Sequence, residues 1–315
     1  MKLLSISYKG MEDITALEIK ELLNLDSKIK ESCVEFECSE EKLVEYCYKA
    51  QGVNRVLVLL DSFKISKVED LERISKIDFS SWLKGRTYET QGFSTFSKSK
   101  ISKTFAARCE IVETKLNKAE VESTTGEYIE GEVDLKNPDI TVFVYIYNTD
   151  CYVGIDFSGD LSKRDYKIFN TKDDLKGTIA YALVRLSGYN NEKSFLNLDA
   201  RSGVIAIEAA LFGSGLSVNF FNKEKFNFLK WIDVDLGKFD KNPKKTEIYA
   251  YDSKGYEKVI SNNSKIAGVE IKFENKDCDC VVSYIRGKSK ISGLDKVRDI
   301  NYGKSVLKIV SFKNA

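Results

Sequence analysis

The stretch Ser194-Phe-Leu-Asn-Leu-Asp-Ala-Arg-Ser-Gly-Val-Ile-Ala-Ile-Glu-Ala-Ala-Leu211 constrains this 315-residue chain more than any other segment. Its run of apolar residues reads as a buried strand, Asp199 to Gly203 as a tight turn, and the rest as an amphipathic helix. A strand that feeds a helix N-terminus presents unpaired backbone N–H groups and the positive end of the helix dipole to a ligand. Close approach of that ligand usually needs several residues without side chains. Here Arg201 and Ser202 occupy the turn and only Gly203 remains. The segment therefore predicts an open sheet with a ligand site at a strand tip.

Composition narrows the chemistry. The chain has no histidine, which removes the commonest general base and zinc ligand and excludes Ser-His-Asp triads. Its 49 basic and 48 acidic residues leave a net charge of +1, so any attraction to nucleic acid must come from local patches. Seven scattered cysteines without a Cys-x-x-Cys pair read as reduced, buried thiols, and no metal site is expected. No apolar run approaches membrane-spanning length and the N-terminus does not read as a signal peptide, so the expectation is a cytoplasmic protein without membrane contact.

Along the chain, strands at 2–8, 33–38 and 55–60 alternate with helices at 11–23 and 40–50, the pattern of a small α+β module. The second block reads as helices at 68–77 and 79–83, a strand at 87–93, a basic helix from 98 to 118, and strands at 139–147 and 151–157. A polar linker follows at 158–174. The last block begins with a helix at 175–186 and the opening strand-turn-helix. Strands at 247–251, 269–273, 280–285 and 305–312 and a helix at 256–267 complete it, implying a parallel, doubly wound sheet.

Several residues stand out as candidates. Lys98, Lys100, Lys103 and Arg108, with Lys115 and Lys118, would line a basic helix face able to grip phosphates; a solvated face is the alternative. Asp252 closes a strand about 50 residues after the glycine turn, where an acid accepts ribose hydroxyls or starts the next helix. Glu208 reads as a solvated helical residue. Tyr284 and Arg286 sit where the fourth strand ends, suited to stacking on a base and to forking a phosphate.

Taken together, the motifs resemble the THUMP-domain RNA methyltransferases, especially those that methylate the exocyclic amine of guanine in tRNA or 23S rRNA. Gly10-Met-Glu-Asp-Ile-Thr-Ala-Leu resembles that family's opening helix, and Pro138-Asp-Ile-Thr-Val-Phe-Val its last THUMP strands. Val153-Gly-Ile-Asp-Phe-Ser-Gly, followed by Lys163-Arg-Asp-Tyr-Lys167, is similar to the exit from that domain. Ile205-Ala-Ile-Glu-Ala-Ala and Asn263 with Ala267-Gly268 are similar to its cofactor-domain helices. The resemblance implies an α/β and α+β architecture in three parts. These are an N-terminal ferredoxin-like module (1–64), a THUMP RNA-binding domain (65–158) and a shortened, Rossmann-like class I methyltransferase domain (172–315). It implies S-adenosylmethionine near Asp199, Ser202, Gly203 and Asp252, and structured RNA, tRNA foremost, on Lys98, Lys100, Lys103, Arg108, Lys163 and Arg164. Tyr284 and Arg286 would stand at the reacting base.

The departures are specific. Arg201 replaces a glycine of the cofactor turn, Tyr284-Ile-Arg-Gly287 replaces the Asn-Pro-Pro-Tyr that orients the target amine, and the final strand pair of the sheet reads as lost. The expectation is therefore an RNA-binding member with weakened or absent methyl transfer, acting alone or with a protein partner subunit. The alternative is an active guanine methyltransferase.

Overall fold

The computed structural model describes residues 1–84, 103–172, 174–286, 295–302 and 305–312, the last two and 284–286 as backbone only. The chain opens with β1 (Lys2–Ile6), α1 (Glu12–Leu23), β2 (Lys28–Lys30), β3 (Cys33–Glu37), α2 (Glu40–Lys49) and β4 (Arg55–Lys64). A 3-10 helix at Val68–Lys76 and α3 (Ser80–Leu83) follow, then β5 (Thr104–Val112), α4 (Lys118–Glu127), β6 (Glu132–Val133), β7 (Ile140–Tyr147) and β8 (Asp150–Asp156). These strands form one eight-stranded sheet in the order β2-β3-β1-β4-β8-β7-β5-β6. β4 and β8 pair antiparallel from Leu57 opposite Asp156 to Lys64 opposite Asp150, so the first two sequence blocks share a sheet.

One expectation fails here for a clear reason. The basic helix at 98–118 does not form across 104–112, which is β5, paired in parallel with β7 along its whole length. Phe105, Cys109 and Ile111 alternate into the core, a period-2 signal masked by the helix-favouring Ala106, Ala107, Arg108 and Glu110. Lys98, Lys100 and the strand expected at 87–93 lie outside the described residues.

The second unit contains α5 (Gly177–Leu186), β9 (Ser194–Leu198), α6 (Val204–Ser214), β10 (Glu247–Tyr251), α7 (Glu257–Ala267), β11 (Lys272–Phe273), β12 (Cys280–Arg286), β13 (Asp295–Tyr302) and β14 (Ser305–Phe312). Its sheet runs β11-β10-β9-β12-β14-β13. The first four strands are parallel, and β14 is antiparallel to both neighbours. The last strand pair is thus present as a β13–β14 hairpin rather than lost. Only one strand is legible there from residue pattern because charged residues break the apolar alternation of β13.

The two units share a core. The excursion between α6 and β10, to which no element was assigned from sequence, inserts Phe226, Phe228, Ile232 and Leu236 into the cluster formed by the first unit. Phe228 stacks on Phe157 at 4.9 Å between ring centroids, and Trp231 meets Trp82 edge-on at 6.4 Å. Tyr48 contributes its backbone carbonyl to Ser217 Oγ (2.6 Å) and Asn219 Nδ2 (2.9 Å) and its hydroxyl to Asp240. Aromatic side chains bury much apolar area with few rotors, so a strap of this composition holds two sheets at low entropic cost.

Candidate active site

The strand order reverses at β9, with β10 on one side and β12 on the other, so a crevice opens at their C-terminal ends. Three residues of the turn after β9 adopt positive φ: Asp199 (50°), Arg201 (53°) and Gly203 (80°). Gly203 is required twice over. Its φ favours glycine, and an added Cβ would lie 2.6 Å from Cγ2 of Ile260 on α7. Arg201 keeps, as a side-chain-bearing residue, the left-handed conformation that a glycine would adopt freely.

Asp252 fixes that path. One carboxylate oxygen accepts the backbone N–H of Arg201 (2.8 Å) and the other that of Lys254 (2.8 Å). Tyr251 O also accepts from Ala200 N (3.2 Å), joining the ends of β9 and β10. Asp199 is exposed at the mouth and accepts from Ser283 Oγ of β12 (3.3 Å). Asn263 of α7, fully buried, donates to Ser202 O (3.0 Å) and brackets Phe169 by its backbone N–H and carbonyl. Among the described residues, two polar atoms here have no partner: Ser202 Oγ and Asn197 Oδ1. Buried groups left unpaired cost free energy and are rare in native proteins. Together with the lone pair that each Asp252 oxygen retains, they fit a polar ligand bearing hydroxyl and amine donors.

Tyr284 and Arg286 are strand residues of β12, paired with Ile309 and Leu307 of β14, and only their backbones are described. Lys103 and Arg108 lie at and within β5, where Arg108 donates to Ala107 O (3.0 Å) and Leu135 O (2.6 Å). Lys163 is exposed. Arg164, expected on the RNA surface, is instead buried, its side chain 1% exposed. It donates from Nε to Glu208 Oε1 (2.7 Å), from Nη1 to Leu161 O (2.7 Å) and from Nη2 to Gln51 O. Glu208 is likewise fully buried rather than solvated, and also accepts from Tyr166 Oη (2.6 Å) and Gln51 Nε2 (2.8 Å). Gly177 makes room for the pair, since a Cβ there would lie 2.4 Å from Arg164 Cγ.

Helix α6, expected to be amphipathic, is buried nearly all round, so its one charged residue needs an internal partner. Sequence reasoning missed Gln51, whose backbone N–H donates to Glu18 Oε1 (2.8 Å) while its side chain reaches Glu208. Glu18 is fully buried, and burial pushes its carboxyl above the ordinary range despite backbone donors from Gln51 and Gly52. No sequence spacing signals such a long-range contact. Among the described residues, no group of three or more acidic or cysteine side chains is placed to hold a metal ion. No described helix is long and apolar enough to cross a membrane.

A parallel four-strand core with its crevice at β9, joined to a mixed sheet that leads into the segment at 153–167, defines a class I methyltransferase-like fold attached to a second α/β module. Residues 91–156 match the THUMP domain family, and 164–281 match the methyltransferase domain described as RMKL-like. The chain thus carries a THUMP domain followed by an RMKL-like methyltransferase domain.

The chain is 29% identical over 237 residues to the tRNA (guanine(6)-N2)-methyltransferase of Methanocaldococcus jannaschii, covering 71% of this chain and 59% of that protein. It is 27% identical over 238 residues to ribosomal RNA large subunit methyltransferase K/L of Alteromonas mediterranea, covering 73% of this chain and 33% of that protein. These alignments thus span between a third and three fifths of those relatives. The crystal structure of SMU.472 complexed with SAH superposes with a TM-score of 0.74 at 17% identity, covering 100% of this chain and 98% of that one, which establishes the fold.

Proposed function

We propose that the protein is an S-adenosylmethionine-dependent methyltransferase acting on the exocyclic amine of guanine in structured RNA, with tRNA the first substrate to test. The observation that carries this reading is the intact turn. Asp199, Arg201 and Gly203 keep the positive φ values, and Asp252 ties Arg201 to the neighbouring strand. Arg201, whose place in the turn pointed on sequence to lost catalysis, holds the left-handed conformation that a glycine would adopt freely. The guanine-modifying M. jannaschii relative and the SAH-bound structural neighbour support the same reading.

The bound cofactor would supply an electrophilic methyl group. Asp252 would accept the ribose hydroxyls through the lone pairs not used by Arg201 and Lys254, and the Ser202–Gly203 backbone would meet the methionine end. Asp199 would accept from the ammonium group. Tyr284 and Arg286, at the end of β12, would face the target base in place of the Asn-Pro-Pro-Tyr signature.

Isothermal titration with S-adenosylmethionine tests the cofactor half of the reading. Saturable binding by the wild-type protein, weakened at least tenfold by Asp252→Ala in a variant that still melts cooperatively, is the expected result. Absence of binding to the folded wild-type chain would return the protein to the alternative of an RNA-binding module without methyl transfer.

A further inference from the structure

The exit segment between Arg164 and Gly177 places two large apolar side chains in solvent beside the cofactor turn: Ile168 is 62% exposed and Phe169 43%. Exposed apolar residues are common, but this segment is held in place. Phe169 N donates to Asn263 Oδ1 (3.0 Å), and Asn263 Nδ2 donates to Phe169 O (2.8 Å) while also holding Ser202 O. Lys167 Nζ closes the loop on Leu175 O (2.8 Å), and Thr171 N donates to Asp174 Oδ2 (2.8 Å). A buried amide thus fixes the backbone of an exposed aromatic residue to the same turn that would carry the cofactor. The ring is presented rather than packed.

The same stretch of chain carries exposed cations. Lys163, Lys172 and Lys176 are exposed along this segment. Among the described acids of this stretch, Asp165 is paired with Lys225 (3.7 Å) and also accepts from Asn222 Nδ2 (3.0 Å), while Asp174 and Asp160 accept from Thr171 and Ser162 and keep their charge. An aromatic face among lysines suits a nucleobase with its phosphates, because stacking tolerates any base and lysines follow the backbone. An enzyme that modifies a base amine must also draw that base out of its stack, which leaves neighbouring bases in need of a new surface.

We infer that Phe169 is a stacking platform for an unstacked RNA base at the mouth of the cofactor turn, with Lys163, Lys172 and Lys176 on the adjoining phosphates. This rests on the proposed RNA-methyltransferase reading and adds a residue that positions the substrate. The ring's contribution is separable from charge. Loss of the platform lowers affinity without altering the number of phosphates neutralised, whereas loss of a lysine lowers both affinity and the salt slope.

The test uses the full chain and unfractionated tRNA as the probe, with binding followed by gel shift across a salt series. Phe169→Ala and Phe169→Leu should each weaken binding by about five- to hundredfold with an unchanged salt slope, the range expected for one stacked base. Phe169→Tyr should bind as wild type. Phe169→Trp should bind as wild type and show additional fluorescence quenching at saturation relative to the native Trp82 and Trp231 background. Equal affinity of wild type, Phe169→Ala and Phe169→Leu overturns the inference and leaves the RNA-binding reading intact. Absence of salt-dependent binding by the wild-type chain overturns that reading and the inference with it. If Phe169→Ala instead abolishes S-adenosylmethionine binding measured without RNA, the ring belongs to the cofactor site and the inference is wrong.

Discussion

Arg164 and Glu208 form an ion pair, Nε to Oε1 at 2.7 Å, with both side chains essentially removed from solvent. The pair joins the exit segment to α6, the helix that carries the cofactor turn, and through Gln51 it also reaches the first unit. Removing one member leaves the other charge buried and unpaired, so Glu208→Leu or Arg164→Met should cost about 3–5 kcal/mol. The double replacement Arg164→Met/Glu208→Leu should cost less than either single change. Differential scanning calorimetry of the four proteins checks this; additive losses would count against a coupled pair.

The same burial removes Arg164 from the RNA surface. Lys163→Ala should flatten the dependence of tRNA affinity on log salt by roughly 0.7–0.9 if it meets one phosphate. A stability-compensated Arg164→Met/Glu208→Leu protein should keep the wild-type slope. Charge reversal at Lys98, Lys100 and Lys103 should weaken binding, as their basic run leads one to expect from the sequence.

The turn predicts unequal sensitivity at two nearby positions. Gly203→Ala combines a φ of 80° with a 2.6 Å approach to Ile260 and should destabilise by about 2–4 kcal/mol. Arg201→Gly relieves a left-handed residue while freeing the unfolded chain, two effects of about 1 kcal/mol that oppose each other, so its thermal midpoint should stay near wild type. Urea melts of both variants give the comparison. A large loss for Arg201→Gly would mean that the arginine side chain holds the turn.

Docking of the second unit rests on the aromatic strap. Phe228 is fully buried between Phe157 and Phe226, at 4.9 and 5.0 Å between centroids, so Phe228→Ala should cost about 3–5 kcal/mol. Because Trp231 and Trp82 sit beside it, the change should also shift the native tryptophan emission. An unchanged melt would show that the strap contributes little to cohesion.

Thiol chemistry should be quiet. Burial raises Cys38, the half-exposed thiol, to about 11 and Cys33 to about 12. Since the thiolate is the reactive form, native protein at pH 8 should react slowly with Ellman's reagent, faster as pH approaches 11, and release all seven thiols once unfolded. Rapid labelling at pH 8 would contradict the burial of these side chains.

The parallel sheet and its turn were legible because they depend on local signals: an apolar strand, a glycine and a buried helix within 18 residues. Asp252 was legible as a strand-end acid, although its bond to Arg201 N was not. The β5 strand was misread because two alanines and charged residues obscured its alternation. Glu208, Gln51 and the Phe226–Phe228 strap escaped because their partners lie 33 to more than 150 residues away, and single-sequence periodicity carries no signal at such range.

The central claim is tested most directly by incubating the purified chain with S-adenosyl-[methyl-³H]methionine and unfractionated tRNA, then digesting the RNA to nucleosides. Label appearing in N2-methylguanosine, and lost with Asp252→Ala, is the predicted result. A folded protein that binds both tRNA and S-adenosylmethionine yet transfers no label would contradict it.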